Sequence, residues 1–156
     1  MRHTLAMACI LLAGFPLLAC ASTGSAAAAA QVSGTEEELR QTLAAHVEAV
    51  QNRDLDALIK TITEGEHLTL IFPDGTTYST RQEYLDFHRE WFADTSWTME
   101  MEPVSLLVRG DLGIALMRTT YTDQAGPRQA LLSLTFSQEE GQWRLVFDQN
   151  TRIVAK

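Results

Sequence analysis

From residue 96 to residue 153 the chain offers four stretches of strand character with no helical periodicity, and this constrains its fold more than any other feature. The stretches are 96–108, 113–122, 128–137 and 142–153. Arg109-Gly110-Asp111, Asp123-Gln124-Ala125-Gly126-Pro127 and Gln138 to Gly141 separate them and are turn-like, so an antiparallel meander is expected.

Two capping boxes stand ahead of the meander. Thr35-Glu36-Glu37-Glu38 opens a helix on which Leu39, Leu43, Val47 and Val50 recur at helical spacing to about Gln51. Asn52-Arg53 breaks the pattern, and Asp54 caps a shorter helix carrying Leu55, Leu58, Ile59 and Ile62. Residues 67–72 are rich in β-formers, Pro73-Asp74-Gly75 is a turn signal, and 76–79 can return as a paired strand. Thr80-Arg81-Gln82-Glu83 then opens a helix in which Tyr84, Phe87, His88 and Trp91 share a face.

The first twenty residues read as an export signal. Met1-Arg2-His3 is a short basic start, Leu5 to Leu18 is an almost unbroken apolar run, and Leu17-Leu18-Ala19-Cys20 looks like a bacterial lipobox. About 14 apolar residues make about 21 Å of helix, short of the roughly 30 Å hydrocarbon core, which disfavours a permanent span. Cys20 is the expected lipidation site, giving a membrane-anchored lipoprotein that faces the periplasm or cell exterior. Cleavage by the general signal peptidase, leaving a soluble periplasmic or secreted protein, is one alternative; an unprocessed hydrophobic leader is another. Residues 21–34 are small and polar and read as a linker, leaving residues 35–156 as one domain.

With 46% hydrophobic and 21% charged residues the composition is that of an ordinary globular protein. The net charge of −8, with no run of Lys or Arg to neutralise phosphates, argues against nucleic acid as a partner. The domain lacks cysteine, His-x-His, His-Glu-x-x-His, an EF-hand loop, a Walker loop and a dinucleotide fingerprint, so neither a metal nor another cofactor is expected.

The order helix, short helix, hairpin, helix and meander resembles the nuclear transport factor 2-like superfamily, its SnoaL-like branch in particular. The resemblance rests on Asn52-Arg53-Asp54-Leu55-Asp56-Ala57-Leu58, on Phe72-Pro73-Asp74-Gly75 and on the closing Trp143 to Thr151. It implies an α+β fold: a curved antiparallel sheet wrapped around about three N-terminal helices, a cone-shaped, cystatin-like roll whose open end is a pocket. It also implies a homodimer through the sheet, and a pocket carboxylate that moves a proton in the members that are isomerases or cyclases.

Within that frame, residues i and i+2 of a strand share a face. Asp148, Asn150 and Arg152 should therefore point together with Val146, opposite Trp143, Leu145 and Phe147. If the polar side faces the cone, Asp148 is a candidate general base whose pKa is raised by burial. His88, four residues after Tyr84, is a second catalytic candidate; the alternative for it is a hydrogen-bonded core residue. Tyr84, Trp91, Phe72, Arg118 and Asn150 are candidate ligand-binding residues. Arg118 alternates with Ile114 and Leu116, so it either pairs with a carboxylate or waits for an anion. His46 is expected to be structural, and Trp97, Met99 and Met101 to be core. The function expected is binding of a small apolar or aromatic molecule. The alternatives are a cofactor-free isomerase, cyclase or hydrolase using Asp148, and a dimerisation or protein-interaction domain.

Overall fold

A computed structural model of the chain describes residues 35–154. The leader, Cys20 and the linker lie outside the described residues.

The first helix, α1 (Glu36–Asn52), starts at the expected capping box: Thr35 Oγ1 accepts from Glu38 N at 3.1 Å, and Glu38 Oε2 accepts from Thr35 N at 2.7 Å. It ends because Arg53 adopts the left-handed conformation, φ 56°, with its N–H returned to the carbonyls of Ala49 and Val50. Left-handed backbone costs a non-glycine residue about 1–2 kcal/mol, and here the side chain offsets it. The Arg53 guanidinium lies 4.2 Å over the Trp97 ring and donates to the backbone oxygens of Asp94 and Trp97. A helix end is thereby latched to the start of the meander.

Asp54 caps α2 (Leu55–Ile59) by accepting from Ala57 N. The hairpin β1 (His67–Ile71) and β2 (Thr77–Thr80) turns through Phe72-Pro73-Asp74-Gly75, where φ of +91° suits Gly75. The second capping box opens α3 (Arg81–Ala93). The four long strands β3 (Thr98–Arg109), β4 (Leu112–Asp123), β5 (Gly126–Glu139) and β6 (Gln142–Arg152) form the expected antiparallel meander. Glu140 and Gly141 close the last hairpin with positive φ at both positions, as the twist of paired strands favours.

The sheet runs β2-β1-β6-β5-β4-β3. One pairing departs from an all-antiparallel expectation: β1 lies parallel to β6, with Thr69 opposite Phe147. β1 meets β6 at the end of the chain, not β3, and the sheet is mixed.

Register shifts bend it, one between His67 and Leu70 in the β1–β2 hairpin and two in the meander. Thr135 faces Phe147 and Phe136 faces Leu145, so Val146 is an extra residue in β6; Val104 is likewise extra in β3. Such bulges sharpen local twist and reset which residues face inward. The helices pack on the concave side over a core of Leu39, Leu58, Ile62, Leu134, Phe136 and Trp143. Gly113 lets α1 approach closely, since a Cβ there would lie 2.5 Å from Leu39 Cδ2.

Candidate functional site

The core fills one end of the concave face and leaves a cavity of about 400 Å³ at the other. From α1 come His46 and Val50; from α3 come Tyr84, Phe87, His88 and Trp91. The hairpin contributes Leu70, Phe72 and Pro73, and the sheet contributes Met99, Met101, Thr119, Tyr121 and Leu132. Asp148, Asn150 and Arg152 follow one another along β6 toward the open rim, where Arg128 and Gln129 also stand. A broader groove of about 580 Å³ between α1, α2 and the β5–β6 turn is open, and the acids along it, Glu38, Glu48 and Asp54, are all exposed.

Asp148 reaches the cavity because of the bulge. Simple alternation from Trp143 and Leu145 would turn it to the opposite face. The extra Val146 instead puts Trp143, Leu145, Asp148 and Asn150 on the same concave side, correcting the expectation that Asp148 faces away from Trp143 and Leu145. Asp148 is 6% exposed. Burial pushes its pKa up to about 7, opposed by the hydrogen bond it accepts from Asn150 Nδ2 at 3.2 Å. Asn150 is itself placed by donating to Ile71 O at 3.4 Å, across the parallel β1–β6 pairing.

Tyr84 is fully buried, and its hydroxyl has no hydrogen-bond partner among the described residues. Burial raises the phenol well above its ordinary pKa, and the nearby Asp148 charge adds to this. His88 lies one turn further along α3, with its ring centroid 4.1 Å from that of Tyr84. Its Nδ1 is 2.8 Å from Tyr84 O. A carbonyl only accepts, so Nδ1 carries the proton and the Nε2 lone pair lies on the far side of the ring from the helix. His46 is fixed the same way. Thr61 Oγ1 spends its proton on Leu58 O at 2.8 Å, so at 2.8 Å from His46 Nδ1 it can only accept.

Burial lowers His88 to about 4 and His46 to about 3, the latter helped by proximity to His88. At neutral pH both imidazoles are therefore neutral hydrogen-bonding groups. His88 was a candidate proton carrier on its intrinsic pKa; burial takes it out of the titrating range, and Asp148 alone of the four buried groups titrates near neutrality.

Of the expected ligand-binding residues, Tyr84, Trp91, Phe72 and Asn150 converge on the cavity together with Asp148 and His88. Arg118 does not. It is exposed on the convex face, because inward positions of β4 are occupied by Ala115, Met117, Thr119 and Tyr121. The alternation that groups Arg118 with Ile114 and Leu116 is real, but that group faces outward. His46, expected to be structural, both makes a buried hydrogen bond and lines the cavity, and Met99 and Met101 serve as cavity wall. Sequence reasoning missed Tyr121, Thr119 and Phe87 as lining residues. Strand alternation opposite Arg118 was the available signal for the first two, and the helical stripe for the third. Among the described residues no three His, Cys, Asp or Glu side chains converge in a way that could hold a metal ion.

A continuous aromatic wall flanks the cavity, with Trp97 buried behind the lining residues. Trp91 stacks on Trp97 at 4.3 Å and on Phe87 at 5.5 Å; Phe87 meets Phe72 edge-on at 4.8 Å. Tyr121 extends the stack and is covered by Arg128 at 5.1 Å.

The fold is shared with several solved structures. A putative calcium/calmodulin-dependent protein kinase type II association domain from Thiobacillus denitrificans superposes with a TM-score of 0.65 at 19% identity, over 74% of this chain and 94% of that one. A putative dehydratase of the NTF2-like family from Streptomyces avermitilis gives 0.66 at 16%, over 76% and 96%. An LEH-like epoxide hydrolase of M. tuberculosis gives 0.59 at 14%, over 75% and 84%. At these identities the likeness is one of fold. No curated protein matches the chain. The family model described as a SnoaL-like domain matches residues 39–150, which span α1 to the Asp148–Asn150 pair of β6, and the chain belongs to that family.

Proposed function

We propose that the cavity binds one small, largely apolar or aromatic molecule and seats its polar group against Tyr84 and Asp148. The observation that carries this reading is the Tyr84 hydroxyl, buried and without a partner among the described residues. An unpaired hydroxyl in an apolar interior costs about 1–3 kcal/mol. A ligand oxygen would supply the missing acceptor, and the aromatic wall would hold the ligand's body. Titration with N-phenyl-1-naphthylamine tests the reading, because Trp91 lines the cavity and Trp97 stacks on it. A saturable change in tryptophan emission supports binding, and a change that never saturates rejects it.

Tyr84→Phe should separate function from stability. Removing an unpaired buried hydroxyl is expected to leave the unliganded protein as stable as before or up to about 1 kcal/mol more stable, while affinity for a carbonyl compound such as 2-tetralone falls about tenfold. Thermal unfolding and titration calorimetry read the two effects.

Asp148 supports a second reading, cofactor-free proton transfer. A carboxylate with a pKa of about 7 is matched to abstracting a proton near neutral pH, and Tyr84 could donate to the oxyanion that forms. Protein-dependent exchange of the α-hydrogens of 2-tetralone in deuterated water, rising with pH through about 7 and absent in Asp148→Asn, supports this reading; exchange equal to that in buffer rejects it.

We propose too that the domain is exported and held at a membrane by lipidation of Cys20, on the strength of the Leu17-Leu18-Ala19-Cys20 sequence. Cys20→Ser is expected to move the protein from the membrane pellet to the soluble fraction. A wild-type protein that is already soluble rejects the anchor.

A further inference from the structure

Polarity along β6 changes in one direction. Its concave-facing residues run Trp143, Leu145, Asp148, Asn150, Arg152, from the packed core to the open rim. At about 3.3 Å per residue, Arg152 stands about 13 Å beyond Asp148. Among the described residues, none that lines the interior between them is permanently charged, since both imidazoles are neutral and Tyr84 keeps its proton. Positive charge is confined to the rim.

Two arginines stand there, and they differ. Arg128 is committed: it forms a two-pronged ion pair with Asp123, at 3.1 and 2.5 Å, and lies over Tyr121. Arg152 is exposed and forms no ion pair among the described residues. The Asp74 carboxyl is held low mainly by hydrogen bonds from Thr76, and Arg152 adds the smallest contribution there. In a chain of net charge −8, an unpaired guanidinium at the mouth of an apolar cavity is a local exception to the overall charge.

We propose that the ligand of this cavity is an amphipathic monoanion: its apolar or aromatic body fills the interior, and its carboxylate, sulfonate or similar group stays at the rim on Arg152. The proposal rests on the binding reading above and adds the ligand's class and orientation. Charge must sit at the rim, because an anion drawn inside would lose its hydration and meet Asp148. A guanidinium at the water boundary gives it a charge-assisted hydrogen bond without that cost. The far end of the ligand is left to the uncharged polar groups around Tyr84.

Two dyes with the same body test this. Both 8-anilinonaphthalene-1-sulfonate and N-phenyl-1-naphthylamine brighten in apolar sites, and only the first carries an anion. Arg152→Gln is expected to weaken the sulfonate about tenfold while changing the neutral dye less than about twofold, and raising salt should weaken only the sulfonate in the wild type. Arg118→Gln, on the convex face, should alter neither. If Arg152→Gln shifts both dyes equally or shifts neither, the anion site is overturned while cavity binding stands. If neither dye binds the wild type saturably, the binding reading fails and this proposal fails with it.

Discussion

Replacing Asp148 with asparagine is expected to make the protein more stable at about pH 8, by as much as about 4 kcal/mol, while removing its capacity to exchange a proton. The carboxyl titrates near 3.8 when exposed and near 7 in the fold. Below about pH 4 it is protonated in both states and costs nothing electrostatically. Between about 4 and 7 the unfolded chain has lost the proton and the folded one has kept it, so stability falls as pH rises. Above about 7 both are ionised and the cost is complete: about three pH units at about 1.4 kcal/mol each. Asparagine preserves the carbonyl that accepts from Asn150 and carries no charge to desolvate. Urea unfolding of both proteins from pH 4 to about 8 should give curves that coincide at the acid end and diverge steadily toward the alkaline end. Curves that stay parallel would show that Asp148 is solvated, and the proton-transfer reading would fall with that result.

A carboxylate that weakens its own fold is a local conflict in an otherwise consistent molecule, and such conflicts gather at functional sites. Much of the remainder shows local signals and structure in agreement. Thr35 and Thr80 cap the helices their sequences announce, Pro73-Asp74-Gly75 turns the first hairpin, and the alternation Ala115, Met117, Thr119, Tyr121 builds an inward face. These features are legible because each is decided within a few residues by a hydrogen bond or a steric preference.

The site was legible in its residues and less so in its geometry. Leu145-Val146-Phe147 is an unbroken apolar triplet, so no polar residue marks where the alternation slips, and the bulge at Val146 follows from how β6 fits β5 and β1 together. That slip decides whether Asp148 meets water or Tyr84. Arg118 was misplaced for the same reason: alternation groups residues reliably but does not say which group faces the helices. The parallel β1–β6 pairing, which sets Asn150 against Ile71 O, joins residues far apart in sequence and has no local signal.

The two buried histidines should dominate the acid side of the stability profile. Each has an ordinary pKa of 6.5; in the fold His88 falls to about 4 and His46 to about 3. Their folded values lie below their unfolded values, so the stability they confer is complete above about pH 6.5 and is lost as pH falls toward 3. The two losses are about 3 and about 5 kcal/mol respectively. Over the same interval Asp148 acts in the opposite sense. Between about pH 6.5 and 4 the unfolded chain takes up two protons on the histidines while the fold takes up one on Asp148. Stability then declines with acidification by about 1.4 kcal/mol per pH unit, from a maximum near pH 6.5 to 7. Surface carboxylates held below their usual range, such as the exposed Asp74 and the partly exposed Asp123, add their loss only below about pH 4. In Asp148→Asn the opposing proton is gone, so the acid slope should double to about 2.7 kcal/mol per pH unit. In the double variant His46→Leu/His88→Leu only Asp148 titrates, and the slope should change sign, with the protein gaining stability as pH falls from about 7 to 4. Thr61 keeps Leu58 O as its acceptor when the His46 ring is removed, so the substitution leaves no hydroxyl proton unpaired there. A double variant that still loses stability toward acid would place the titrating groups elsewhere and remove the basis for treating His46, His88 and Asp148 as one buried cluster.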